Sequence, residues 1–171
     1  MVAIQMKAVT PKMADLLPTL RRFSSLRMYN VGQRMRMLYK LTVSSWKHKP
    51  QFEITVIQND QQMGVTVGTD DKIFGYVDEG TKPHRIVPKA SNPSKRLFFR
   101  EGFSPKTQPG IVGSWGGGSF GNVVVAKAVN HPGTAARKFT QTIQKQTEKH
   151  FENQMRAAME QTAEFVNRRS R

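Results

Sequence analysis

The sequence predicts an α+β fold, a small antiparallel β-sheet packed by N-terminal helices and a long C-terminal helix. Three observations predict it. Apolar residues stand at helical spacing from about position 13 to 46, apolar and polar residues alternate with period two from 52 to 67, and a second helical stripe runs from 139 to 165. The 171 residues suit a single domain spanning 1–171. A hydrophobic fraction of 37% beside a charged fraction of 23% fits an ordinary packed core rather than a disordered chain.

In the first helical region Met13, Leu16, Leu17, Leu20 and Phe23 form one stripe and Val31, Met35, Leu38 and Thr42 another. Asp15 is placed as N-cap, which puts Pro18 in the first turn, where its missing N–H has no intrahelical partner. Asn30-Val31-Gly32 is expected to break or bend the segment, giving two helices or one kinked helix, and Pro50 ends the region.

Phe52, Ile54 and Val56, then Met63, Val65 and Val67, flank the turn residues Gln58-Asn59-Asp60-Gln61 and read as a hairpin with one buried face. Residues 73–77 fit a short helix or a strand. Short strands are expected at 84–87 and 96–100, joined through the turn residues Asn92-Pro93-Ser94. Residues 103–121 hold two prolines and six of the thirteen glycines, a composition that does not order itself, and residues 122–129 form the strongest strand. His131-Pro132-Gly133-Thr134 stops that strand, with Thr134 as N-cap of a helix over about 134–167 that carries Phe139, Ile143, Phe151, Met155, Ala158, Thr162 and Phe165 on one stripe. At ~1.5 Å per residue it is on the order of 50 Å long and overhangs a domain of this size.

The absence of cysteine excludes disulfides, thiolate metal sites and a cysteine nucleophile. No apolar run approaches the roughly 18 residues that read as a membrane helix. Residues 1–12 show neither the apolar stretch nor the cleavage site of a secretory signal, so none is expected.

Gly116-Gly117-Gly118-Ser119-Phe120-Gly121 matches the glycine fingerprint of dinucleotide sites, but that chemistry needs a helix N-terminus after the turn, and here a strand is expected. His48, His84, His131 and His150 lack metal-ligand spacing, with His84 and His131 in turns beside prolines. Asp78 and Glu79 are adjacent and point apart, which ill suits paired acid–base work. No nucleophile, base and oxyanion donor assemble, so no enzyme, cofactor or metal is expected.

The formal net charge of +15 is uneven: +9 over residues 1–49, −5 over 50–80, +7 over 81–130 and +4 over 131–171. Such a balance suits a polyanion, acidic protein partners or a merely solvated basic surface. Arg21, Arg22 and Arg27, with Arg34, Arg36 and Lys40, interleave with Tyr29, Tyr39 and Trp46, a pattern open to nucleic-acid binding or to a charged outer helix face used in docking.

The most informative residues are Tyr76-Val77-Asp78-Glu79-Gly80-Thr81, then Pro83-His84-Arg85-Ile86-Val87-Pro88-Lys89, then Leu97-Phe98-Phe99, and finally Val129-Asn130-His131-Pro132-Gly133-Thr134-Ala135-Ala136-Arg137-Lys138-Phe139. In this order they resemble the tail-component family of long-tailed bacteriophages, whose members act as head-to-tail joining or tail-completion proteins of the neck. The resemblance covers about residues 50–145. It implies a non-catalytic subunit of the virion neck, assembled in the host cytoplasm as a ring of six around the DNA channel. Its partners would be further copies of itself, the phage connector or adaptor, and tail-tube or tail-terminator proteins. DNA would pass without sequence-specific contact, and no membrane or cofactor is involved. On this reading Tyr76, Asp78, Glu79, Gly80, Thr81, His84, Arg85, His131, Gly133 and Arg137 are assembly residues. Trp115 and Phe120 are loop anchors ordered on assembly, and Arg21, Arg22 and Arg27 supply docking charge. The alternative is a basic nucleic-acid-binding protein.

Overall fold

The structure, a computed structural model, describes residues 2–6, 16–59, 62–114 and 116–169. Met13, the proposed cap Asp15, the turn residues Asp60 and Gln61, and Trp115 lie outside them. The fold is α+β, and the chain forms two compact units.

The first unit holds strand β1 (Val2–Met6), most of helix α1 (Leu17–Thr42), strands β2 (Glu53–Gln58) and β3 (Met63–Gly68), and nearly all of helix α3 (Phe139–Arg169). Its antiparallel sheet has the order β1-β3-β2. The expected hairpin is β2–β3, with Ile54 opposite Val67 and Val56 opposite Val65. Its turn is held by the Asn59 side chain, which accepts a hydrogen bond from the Gln62 amide at 2.8 Å. One buried face was expected, yet β3 is buried at four successive positions, Gly64 to Val67. The reason is β1, which pairs along the other edge of β3 and makes it the central strand. The short Val2-Ala3-Ile4 run gave no periodicity long enough to announce that strand.

Helix α1 runs unbroken through Asn30-Val31-Gly32, which corrects the two-helix alternative. Gly32 is there for close approach: a Cβ would sit 2.6 Å from Ile54 Cγ2 and 2.9 Å from Val65 Cγ2. The helix therefore lies nearly backbone-on-sheet at that point. Its buried stripe is Leu20, Ser24, Met28, Val31, Met35 and Tyr39, at steps of three and four. Tyr39 stacks on Phe52 with ring centroids 4.9 Å apart. Helix α3 buries Ile143, Thr147, Phe151, Met155, Ala158 and Thr162. The polar members stay satisfied by bonding back one turn, Ser24 Oγ to Leu20 O at 2.6 Å and Thr147 Oγ1 to Ile143 O at 2.8 Å.

Helix α3 starts at Phe139, not Thr134. Thr134 is instead bridged to Thr81, and Lys138, at φ +57°, turns the chain into the helix. The 31 residues still give a rod of about 46 Å.

The second unit holds helix α2 (Lys72–Glu79), which settles the ambiguous residues 73–77 as helical, and six short strands. These are β4 (His84–Ile86), β5 (Leu97–Arg100), β6 (Phe103–Ser104), β7 (Gly118–Ser119), β8 (Val123–Ala126) and β9 (Val129–His131). They pair β4–β9, β5–β8 and β6–β7, all antiparallel. The pairs are nested, so residues 84–131 form one interrupted two-stranded ribbon. The single strand expected over 122–129 is split at Lys127 and Ala128, because the opposite limb carries residues 87–96 as an excursion between β4 and β5. Asn92 shapes that excursion: its Oδ1 accepts from the Ser94 amide at 3.1 Å and its Nδ2 donates to Arg96 O at 2.9 Å.

The glycine-rich stretch is more ordered than its composition suggests. The β6–β7 pair closes its base. Its interior is tied down where the Lys106 ammonium donates to Ser45 O at 2.9 Å and Ser114 Oγ donates to Ser45 Oγ at 2.6 Å. Residues 116–121 lead into β8 rather than a helix, so the glycine fingerprint there has no helix N-terminus behind it.

Candidate assembly site

The site is built at the end of α2. Asp71 caps the start of that helix: it is extended, at φ −69° and ψ 111°, and its Oδ1 accepts from the Phe74 amide at 2.7 Å. Its other oxygen pairs with His48 Nε2. The His48 hydrogen bond holds the Asp71 carboxyl below the ordinary carboxylate range, helped by the Phe74 amide and opposed by burial. The cap therefore stabilises fully above the ordinary aspartate value of about 4 and fades as pH falls through the lower folded value. Asp71→Ala is expected to cost about 1–2 kcal/mol at neutral pH. Urea titrations at neutral pH and near pH 2 check this. The gap between variant and parent should shrink at the acid end, and a gap independent of pH refutes the role.

At its other end α2 stops at Gly80, at φ +80°, a conformation that side chains avoid. The last carbonyls are not left to water. The Arg137 amide donates to Val77 O at 3.2 Å and Asp78 O at 3.1 Å, and the Lys138 amide donates to Asp78 O at 3.0 Å. One residue beyond Gly80, Thr81 and Thr134 exchange both backbone hydrogen bonds, at 2.9 and 3.1 Å. Thr81 Oγ1 takes a further one from the Thr134 amide at 3.0 Å. Gly133, at φ +89°, lets the second strand pass: a Cβ there would meet Thr81 O well inside van der Waals contact, and one on Gly80 would lie 2.6 Å from Thr134 O. The two glycines face each other across one backbone crossing.

His84 and His131 stand opposite each other in the β4–β9 register, with ring centroids 5.1 Å apart. Their hydrogen bonds differ. His84 Nδ1 faces the Lys82 carbonyl at 2.9 Å and so acts as donor, whereas His131 Nδ1 accepts from the Gly133 amide at 3.0 Å. Each imidazole fixes its own turn.

The structure thus brings Asp78, Gly80, Thr81, His84, His131, Gly133 and Arg137 into one module. The Arg137 carbonyl also accepts from the Gly110 amide at 2.9 Å, which joins the glycine-rich stretch to it. Tyr76 and Glu79 are exposed on α2, and Arg85 is exposed opposite Asn130. Phe120 is 73% exposed beyond β7, away from the crossing. Among the described residues no group of three or more His, Asp or Glu stands together as a metal-ligand set, and no helix is long and apolar enough to cross a membrane.

No family model, curated protein or solved structure matches this chain.

The proposed docking arginines lie in the other unit. Arg22 and Arg27 line an open cleft of about 400 Å³ with Asn30, Gln154 and Gln161. Arg27 donates to Gln154 Oε1 at 3.0 Å and to Gln161 Oε1 at 3.3 Å, so it tethers α1 to α3. Arg21 is half-buried and its carbonyl accepts from Gln58 Nε2 at 3.0 Å. Of the three, only Arg22 is exposed. Sequence reasoning missed a second exposed set on the same helix: Leu26, Tyr29, Met37 and Leu41. Their spacing of three, eight and four is the signal that would have found it, since a helix buried on one face only has no use for a second apolar stripe.

Proposed function

We propose that this chain is a non-catalytic structural protein of the neck of a long-tailed bacteriophage, joining or completing the tail as part of an oligomeric ring. One observation carries the reading. The two most distinctive stretches, around Gly80-Thr81 and around His131-Pro132-Gly133-Thr134, lie 53 residues apart between the paired threonines yet interlock in a single backbone crossing. That crossing roots a ribbon with many exposed apolar residues, which suits assembly better than catalysis. The outer face of α1 supports docking in the same way. Its arginines alternate with exposed Leu26, Tyr29 and Met37, an apolar frame that fits a protein partner rather than a phosphate backbone.

Averaged images of virion necks carrying a labelled copy of this chain test the reading. A symmetric ring containing the label is expected, and its absence from the neck refutes it. A DNA titration separates the alternative. The purified chain should bind DNA only weakly at about 0.15 M salt, whereas tight, saturable binding abolished by Arg22→Glu with Arg34→Glu would establish a nucleic-acid-binding protein instead.

A further inference from the structure

We propose that the outer face of the β5–β8 ribbon docks on helix α2 of a second copy of this chain. The proposal rests on the assembly reading above and names the contact it uses.

Phe98 pairs in register with Val125 and Arg100 with Val123. Side chains alternate across a strand, so these four share one face, while Leu97, Phe99, Val124 and Ala126 share the other. On the first face Phe98 is 62% exposed, Val123 57% and Val125 45%. On the second, Leu97, Val124 and Ala126 are half-buried, and Phe99 at 39% is less exposed than Phe98, Val123 or Val125. The ribbon is thus partly covered on one side and bare on the other. A two-stranded sheet is marginal by itself, and a contiguous bare apolar face marks a contact surface. The rim is positive: residues 84–131 hold seven Lys or Arg and one acid, Glu101, with Arg96 and Arg100 beside the patch.

Such a face fits a partner with an apolar centre and a negative rim, and this chain carries one. On α2, Ile73 is 52% exposed and Tyr76 58%, and Glu79 follows at the same spacing of three. The three positions span one side of the helix. Within α2 exposed Glu79 and half-buried Asp78 outweigh Lys72, the reverse of the ribbon. The two surfaces are complementary, different from each other and present on every copy. That makes the contact heterologous: each subunit gives its ribbon to one neighbour and its α2 to the other, and a suitable rotation closes the series into a ring.

Two exposed-surface variants test this. The first is Arg96→Glu with Arg100→Glu, and the second is Tyr76→Arg with Glu79→Arg. Light scattering across a concentration series should show the parent chain associating and each variant weakened by roughly tenfold or more. An equimolar mixture should assemble again, because every junction between unlike copies then joins opposite charges. Milder changes, Arg96→Ala with Arg100→Ala and Glu79→Ala, should weaken association less and serve if a reversal misfolds. A parent that stays monomeric at every concentration, variants that associate like the parent, or a mixture that does not recover would each overturn the contact. A parent that associates beside a mixture that does not recover removes this contact alone; the neck assignment then still stands or falls on the labelled ring.

Discussion

Gly133→Val is expected to destabilise the ribbon-bearing unit by about 3–5 kcal/mol, combining the cost of a left-handed residue with the loss of two or three backbone bonds. The first Cβ atom is already too much, since it would meet the Thr81 carbonyl on the facing strand. Backbone, unlike the tip of a long side chain, cannot swing aside. Thr81 and Thr134 would have to separate, releasing the bonds between them and then the Arg137 and Lys138 amides that cap α2. Helix α3 should form regardless, because it begins at Phe139. Hydrogen exchange at the Thr81 and Thr134 amides checks the prediction: both should lose protection while the amides of β3 keep theirs. Unchanged protection at the two threonines would mean that the crossing tolerates a side chain and has no special role. On the proposed neck function, assembly should fail with the crossing, since β4 and β9 root the ribbon immediately beside it.

Phe139→Ala should cost a similar amount, about 3–5 kcal/mol, for a different reason. The ring is fully buried and lies 5.9 Å from Phe74, which in turn lies 6.3 Å from Trp46. Removing it leaves a cavity beside the Phe74 ring of α2. Thermal unfolding should show the loss, and Phe139→Leu should recover most of it. A loss below about 1 kcal/mol would mean that the site relaxes and that Phe139 is not the anchor of this cluster.

Much of the fold was legible because it is local. The β2–β3 hairpin follows from strict alternation on both sides of a turn, and the stripe from Phe139 to Thr162 follows from helical spacing. Both patterns are written within a few residues of each other. Gly80 and Gly133 were also legible as turn glycines, since each sits where a regular element must stop. What defeated the reading at Gly32 was a contact from Ile54 and Val65, residues on another element. A glycine in a helical pattern looks like a break until something is known to press against it. Thr134 misled in the same way. It has the chemistry of an N-cap, yet Thr81 claimed its backbone first.

The candidate site divides along the same line. Its residue types stand in the chain in plain order, and in that order they carry the resemblance to the tail-component family. That residues 80–81 and 133–134 form one crossing, that Arg27 tethers two helices, and that Phe98, Val123 and Val125 share a bare face are long-range facts. The sequence by itself determined the α+β class, the hairpin, the long terminal helix and the two turns that bear glycine, because periodicity and backbone permission are local properties. Only the tertiary structure decided the central place of β3, the nested ribbon and the exposed faces, because burial and strand partnership depend on which distant residue arrives to make the contact.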